Sequence, residues 1–209
     1  MQRLLLSDTV TVAAAQPPQW SNANGVRLSS LGGAGDSFDV LAKGDWTVNF
    51  PLNAVAAQGQ MPSEINLFLA AAPGASGTRP VATVYWNGVL LAARQLEANG
   101  HPERLRARVP GYALGIGNTL RVSVQRQPYS ADCNEIPQPY PVSVLPAISY
   151  VKPGKAEPDG SFIGLLPLLG SRAQLLVPQS YLSSAPAALE RAAGIAAASG
   201  LSAALAELV

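Results

Sequence analysis

His101 is the one histidine among 209 residues, and it stands in the loop-like run Asn99-Gly100-His101-Pro102. A relay of serine, histidine and aspartate could therefore be drawn in only one way, and a two-histidine metal site cannot be drawn at all. The single cysteine, Cys133, allows no disulfide within the chain and no thiolate-rich metal centre, so it reads as a small hydrophobe. No serine sits in a Gly-x-Ser-x-Gly elbow, and no Gly-Lys-Ser/Thr phosphate loop occurs. Gly115-Ile116-Gly117-Asn118 precedes a strand pattern, whereas a dinucleotide fingerprint must open a helix, so it reads as a turn. These absences predict no catalytic residue, no metal and no cofactor.

A glycosidase needs two carboxylates flanking a sugar. Asp36, Asp39, Asp45, Glu64, Glu97, Glu103, Asp132 and Glu135 are available, but nothing in their spacing singles out a pair, and the chain reads as a non-enzyme. Binding a sugar without chemistry asks for less. Pyranose rings present apolar C–H faces that stack on flat side chains, and their hydroxyls take amide or guanidinium donors. Tyr85, Asn87, Arg94, Arg106 and Tyr112 are the candidates for glycan contact, with Tyr129 and Tyr140 as further aromatics. Trp46 and Trp86 fall on apolar faces and read as packing. Arg104 and Arg108 make an Arg-x-x-x-Arg pair similar to part of the cyclic-di-GMP motif of PilZ domains, but the partner Asp-x-Ser-x-x-Gly reads as missing and the alternation around them already explains a solvated face.

Charged residues make up 13% of the chain and the net charge is +1, which argues against a nucleic-acid partner held by a broad basic surface. Nineteen glycines and eighteen prolines spread without a repeat, and a mean hydropathy of +0.16, suit a turn-rich β protein. The apolar stretch Leu4-Leu5-Leu6 is too short for a signal-peptide core, and no run of about 18 apolar residues suggests a membrane span. The chain as given reads as soluble, with any export or anchoring segment of a longer parent lying outside it.

The elements that must hold these residues divide the chain. Residues 1–25 read as a leader or the end of a preceding domain, 26–150 as a β-sandwich of jelly-roll type, 151–160 as a linker, and 161–209 as a truncated α/β segment. Strands are expected at Val26–Leu31, at Phe38–Leu41, and where Trp46, Val48 and Phe50 and then Ile65, Leu67 and Leu69 alternate with polar residues. Asn87-Gly88 predicts a two-residue hairpin with Trp86 opposite Val89 and Val84 opposite Leu91. One face would carry Ala82, Val84, Trp86, Val89, Leu91 and Ala93; the wetter one, Thr83, Tyr85, Leu90, Ala92 and Arg94. Leu105, Ala107 and Val109 point inward against Arg104, Arg106 and Arg108, and Leu120, Val122 and Val124 repeat the pattern. Ile148–Val151 reads as an edge strand. Ala173–Val177 reads as a strand feeding a helix capped by Ser183 or Ser184 and stopped at Gly200.

The order of these pieces resembles the periplasmic B subunit of bacterial cellulose synthase. The residues that carry the resemblance are Val26 to Gly32, Phe50-Pro51-Leu52, Val84-Tyr85-Trp86-Asn87-Gly88, Val109-Pro110 through Gly115-x-Gly117-Asn118-x-Leu120, Cys133, and Phe162 to Gly200. Family members are several times longer, with a signal peptide and a membrane anchor, and carry an aliphatic residue where Trp86 stands. The resemblance implies a carbohydrate-binding jelly roll followed by the opening of a flavodoxin-like domain. It implies a non-catalytic periplasmic accessory subunit that guides nascent β-glucan beside a membrane-embedded cellulose synthase catalytic subunit, with other copies of itself as further partners and a parent anchored in the inner membrane. It places cyclic-di-GMP sensing in the catalytic partner, so no cyclic-di-GMP binding is expected here. The competing readings are a jelly-roll glycoside hydrolase or accessory domain, and a structural docking domain without glycan affinity.

Overall fold

A computed structural model describes residues 25–35, 37–56, 60–73, 79–126, 139–155 and 160–165, with helical positions at Pro186, Ala187, Glu190, Arg191, Ala193 and Gly194. Strands form at Val26–Arg27 (β1), Ser37–Val40 (β2), Lys43–Pro51 (β3), Gln60–Ala71 (β4), Val81–Trp86 (β5), Val89–Gln95 (β6), Pro102–Arg108 (β7), Gly117–Gln125 (β8), Tyr140–Val144 (β9) and Tyr150–Lys155 (β10). A short helix, α1, spans Phe162–Leu165. The chain is mainly β, in two antiparallel sheets. One runs β3-β8-β5-β6; the other has six strands ordered β1-β10-β4-β9-β2, with β7 also paired to β4.

Strand β4 organises the larger sheet. Its residues 64 to 66 pair with β7 and also with β10, so those two strands must flank it on opposite sides. Farther along, β9 takes over from β10 at Leu69–Ala71. At the changeover the Phe68 amide donates to Ser149 Oγ at 2.9 Å and the Phe68 carbonyl accepts from Leu145 N at 2.9 Å, so no backbone group is stranded.

Period-two burial supplies the core between the sheets. Ile65, Leu67 and Leu69 from one sheet and Trp86, Leu120 and Val122 from the other are fully buried, and all belong to one apolar cluster. Phe50 and Trp86 meet edge to face with ring centroids 5.3 Å apart. Trp46 also packs inward, its indole N–H donating to the Ala34 carbonyl at 3.1 Å.

Three local expectations need correction. After Arg27 the backbone turns into a 3-10 helix at Leu28–Leu31, ended by Gly32 at φ 87°, where a continuous strand was expected. Tyr150–Lys155 is not an edge strand, since it pairs with β1 and β4, and its ladder reaches residues expected in the linker. The hairpin turns at Asn87-Gly88 as expected, with φ of 50° and 82°, and Trp86 does face Val89. Val84, however, faces Ala92 rather than Leu91, because Leu91 is the extra residue of a β-bulge. Beyond it the faces exchange, so Ala92 and Arg94 share the inner side with Val84 and Ala82. The expected strand at 173–177, the helix cap at Ser183 or Ser184, Cys133 and Tyr129 lie outside the described residues.

Candidate functional site

The five glycan-contact candidates do not converge. Tyr85 lies on the outer face of the four-stranded sheet, where the Arg121 guanidinium covers its ring at 4.3 Å from the centroid. Asn87 is used up by its own turn: its Nδ2 donates to the Ala113 carbonyl at 2.8 Å and to Asn118 Oδ1 at 3.0 Å, while its Oδ1 accepts from Thr119 N at 2.7 Å. Tyr112, 80% exposed, sits beside Ala113 at that same end of the molecule. Arg94 reaches from β6 to the other sheet, donating to the Arg104 carbonyl at 2.6 Å and lying 3.9 Å from Glu103. Arg106 stands on the outer face of the six-stranded sheet, on the far side of the core from Tyr85. Tyr140 is buried, with Arg126 5.3 Å over its ring, and offers no stacking face.

Arg106 belongs to a more organised place. Side chains at paired positions share a sheet face. The register therefore sets Arg27, Tyr150, Asn66 and Arg106 in one outward row across β1, β10, β4 and β7, with Lys152, Glu64 and Arg108 in the next. Phe68 and Arg104 follow. On the central strand, Asn66 is fully buried and Glu64 nearly so, although both point outward, because the long side chains of the flanking strands roof them.

Both buried polar groups are satisfied. Arg104 Nε donates to Asn66 Oδ1 at 2.8 Å and its terminal amine donates to the same oxygen, while Asn66 Nδ2 donates to Glu64 Oε1 at 2.8 Å. The Arg106 guanidinium pairs with Glu64 Oε2. Arg106 holds the Glu64 carboxyl below its ordinary pKa; burial opposes this, and Asn66 and Lys152 assist it. Glu64 is thus a fixed, ionised group, and the two guanidiniums have their positions set from beneath.

On the outer face of the four-stranded sheet, two cations share one carboxylate. Asp45 lies 3.3 Å from Lys43 and 3.9 Å from Arg121. Partial burial pushes the Asp45 carboxyl up, but the Ser123 hydroxyl, Lys43 and Arg121 outweigh it and leave the pKa lowered.

Sequence reasoning picked out Arg106, named Glu64 only as one of eight undistinguished carboxylates, and missed Asn66, Tyr150 and Lys152. The alternation Glu64-Ile65-Asn66-Leu67-Phe68-Leu69 was the available signal: a polar row opposite a strongly apolar one. The companion Asp-x-Ser-x-x-Gly of the PilZ-like pattern, read above as missing, is present in the sequence. Asp159-Gly160-Ser161-Phe162-Ile163-Gly164 reads Asp-x-Ser-x-x-Gly. Asp159 is outside the described residues, and Ser161 caps α1, its Oγ accepting from Gly164 N at 3.0 Å. Among the described residues no three of His, Cys, Asp and Glu gather as metal ligands, and no helix is long and apolar enough to cross a membrane.

No protein-family model matches the chain, and no curated protein does. Solved structures that share a partial likeness include the following two. Dimeric latent PorU from Porphyromonas gingivalis is 16% identical with a TM-score of 0.31, over 59% of this chain and 11% of that one. A carbohydrate-binding module, TmCBM61 in complex with β-1,4-galactotriose, is 10% identical with a TM-score of 0.31, over 57% of this chain and 68% of that one.

Proposed function

We propose that the chain is a non-catalytic carbohydrate-binding module whose ligand lies along the outer face of the six-stranded sheet. The observation that carries this reading is the hydrogen-bonded set Arg104–Asn66–Glu64–Arg106 beside the half-buried Tyr150 ring. A sugar ring can lay its C–H face on Tyr150 while its hydroxyls take guanidinium donors that need no reordering on binding, which lowers the entropic cost of association. Glu64 is flanked in register by Arg108 and Lys152, not by a second carboxylate, so the arrangement suits holding a sugar rather than cleaving it.

In the finer form of this proposal the two sheets are a jelly roll, the segment from 161 opens a flavodoxin-like unit, and the parent is a periplasmic accessory subunit. It would steer a β-glucan away from a membrane-embedded synthase. The resemblance in motif order supports that form. Affinity electrophoresis in gels containing soluble glycans, β-glucans among them, tests the binding reading: retarded migration in at least one gel, relieved by Tyr150→Ala, is expected. Unretarded migration in glucan and in every other glycan gel would remove it.

A further inference from the structure

We infer that the ligand of this face is an acidic glycan bearing carboxylate groups, an inference that rests on the carbohydrate-binding reading above and narrows its substrate class. The chain as a whole is almost neutral, with fourteen Lys and Arg against thirteen Asp and Glu. The charges are not evenly spread. On β1, β10, β4 and β7 the outward positions carry Arg27, Arg104, Arg106, Arg108 and Lys152 against a single carboxylate, Glu64. Asp39, the outward carboxylate on β2, lies toward the other end of the sheet.

Glu64 already has its partner in Arg106. Arg108 and Lys152, on either side of it, form no ion pair among the described residues. Arg106 keeps 64% of its side chain exposed while paired, so its remaining N–H donors face solvent. A neutral polymer gives no reason for so much uncompensated positive charge. A carboxylate does, since guanidinium forks bind it bidentately.

The neighbouring groups favour a sugar acid over other anions. Tyr150 and Arg106 lie two strands apart, about 9–10 Å at the backbone, so a ring on the tyrosine would place a substituent over the guanidinium. Glu64 in the middle of the face, and a sequence pI near 7.9, suit a sparsely charged chain better than the dense phosphates of a nucleic acid. Tyr150 and Phe68 are half-buried in the floor, so they do not project as anchors for a lipid surface.

Affinity electrophoresis of the full chain in gels containing polygalacturonate or neutral hydroxyethylcellulose tests the assignment. Single-stranded DNA and anionic phosphatidylserine vesicles serve as further probes in a binding assay. Expected are retardation by polygalacturonate that weakens as salt rises, and loss of roughly tenfold in affinity for each of Arg108→Gln and Lys152→Gln. Lys43→Gln, the same charge change on the other sheet, should leave affinity unchanged, and thermal unfolding checks that each variant is folded. Equal retardation in both gels, insensitive to salt, would overturn the acidic-glycan inference and leave the carbohydrate reading standing. Tighter binding to the DNA or the vesicles than to polygalacturonate would overturn the inference as well. Retardation in neither gel would overturn the inference, and unretarded migration in every other glycan gel as well would remove the carbohydrate reading itself.

Discussion

Asn118 Oδ1 accepts the indole N–H of Trp86 at 2.9 Å, inside the end of the core where both residues are buried. The same oxygen accepts from Asn87 Nδ2 and from Gly115 N, each at 3.0 Å, and Asn118 Nδ2 donates to the Gly115 carbonyl at 2.7 Å. One side chain therefore ties the hairpin turn, the loop before β8 and the largest core residue together. Asn118→Ala strands a buried indole donor, and a loss of about 2–4 kcal/mol in urea unfolding is expected. A loss below about 0.5 kcal/mol would mean that the three donors find other partners.

Glu103 and Arg94 differ in what their removal leaves behind. Glu103 Oε1 accepts from Glu97 N at 2.7 Å and from Ala98 N at 3.3 Å, whereas Arg94 is half-exposed. Glu103→Ala should therefore cost about 1–3 kcal/mol through unpaired loop amides. Arg94→Ala should cost about 1 kcal/mol or less. Chemical denaturation of the two variants side by side checks the order, and a larger loss for Arg94→Ala would contradict it.

Acid should weaken the fold through the outer-face carboxylates. Glu64 and Asp45 both have pKa values lowered in the folded chain, so each contributes stability that is present above its unfolded value and lost as pH falls through the folded one. Urea midpoints should hold above about pH 5 and decline below about pH 4. Glu64→Gln should flatten that decline, and an unchanged slope in this variant would show that the Arg106 pair does not drive it.

Tyr150 offers the cleanest separation of binding from folding, because its ring lies on the outer face. Tyr150→Ala should weaken glycan binding by roughly tenfold at most. An unaltered dissociation constant in calorimetry would move the ligand off this row.

Cyclic-di-GMP should give no saturable isotherm with the isolated chain. Arg104 of the Arg-x-x-x-Arg pair is already bound to Asn66, and Ser161 of the companion pattern is occupied as a helix cap. A micromolar isotherm abolished by changing Arg104 and Arg108 would reverse that expectation.

Much of the scaffold was legible because burial with a two-residue period is a local signal. Trp46-Val48-Phe50, Ile65-Leu67-Leu69, Leu105-Ala107-Val109 and Leu120-Val122-Val124 all point inward as their alternation predicts. Beyond Leu91 the reading of β6 fails, since one unpaired residue exchanges the faces and nothing local announces it. That is why Arg94 was grouped with Tyr85 but turns toward the opposite sheet. The candidate face was illegible for a different reason. Its residues come from strands far apart in the chain, and only the pairing of β4 with both β7 and β10 brings Tyr150, Asn66 and Arg106 into line.

The same long-range pairing sets an order for biogenesis. All four strands of the smaller sheet are complete once Gln125 has left the ribosome, whereas Val26 must wait for Val151 before β1 has a partner. During synthesis the nascent chain therefore carries the inner side of β4 without the β9 and β10 neighbours that close its second edge. In that interval the apolar row Ile65, Leu67 and Leu69 depends on the early sheet, or on a chaperone, for cover.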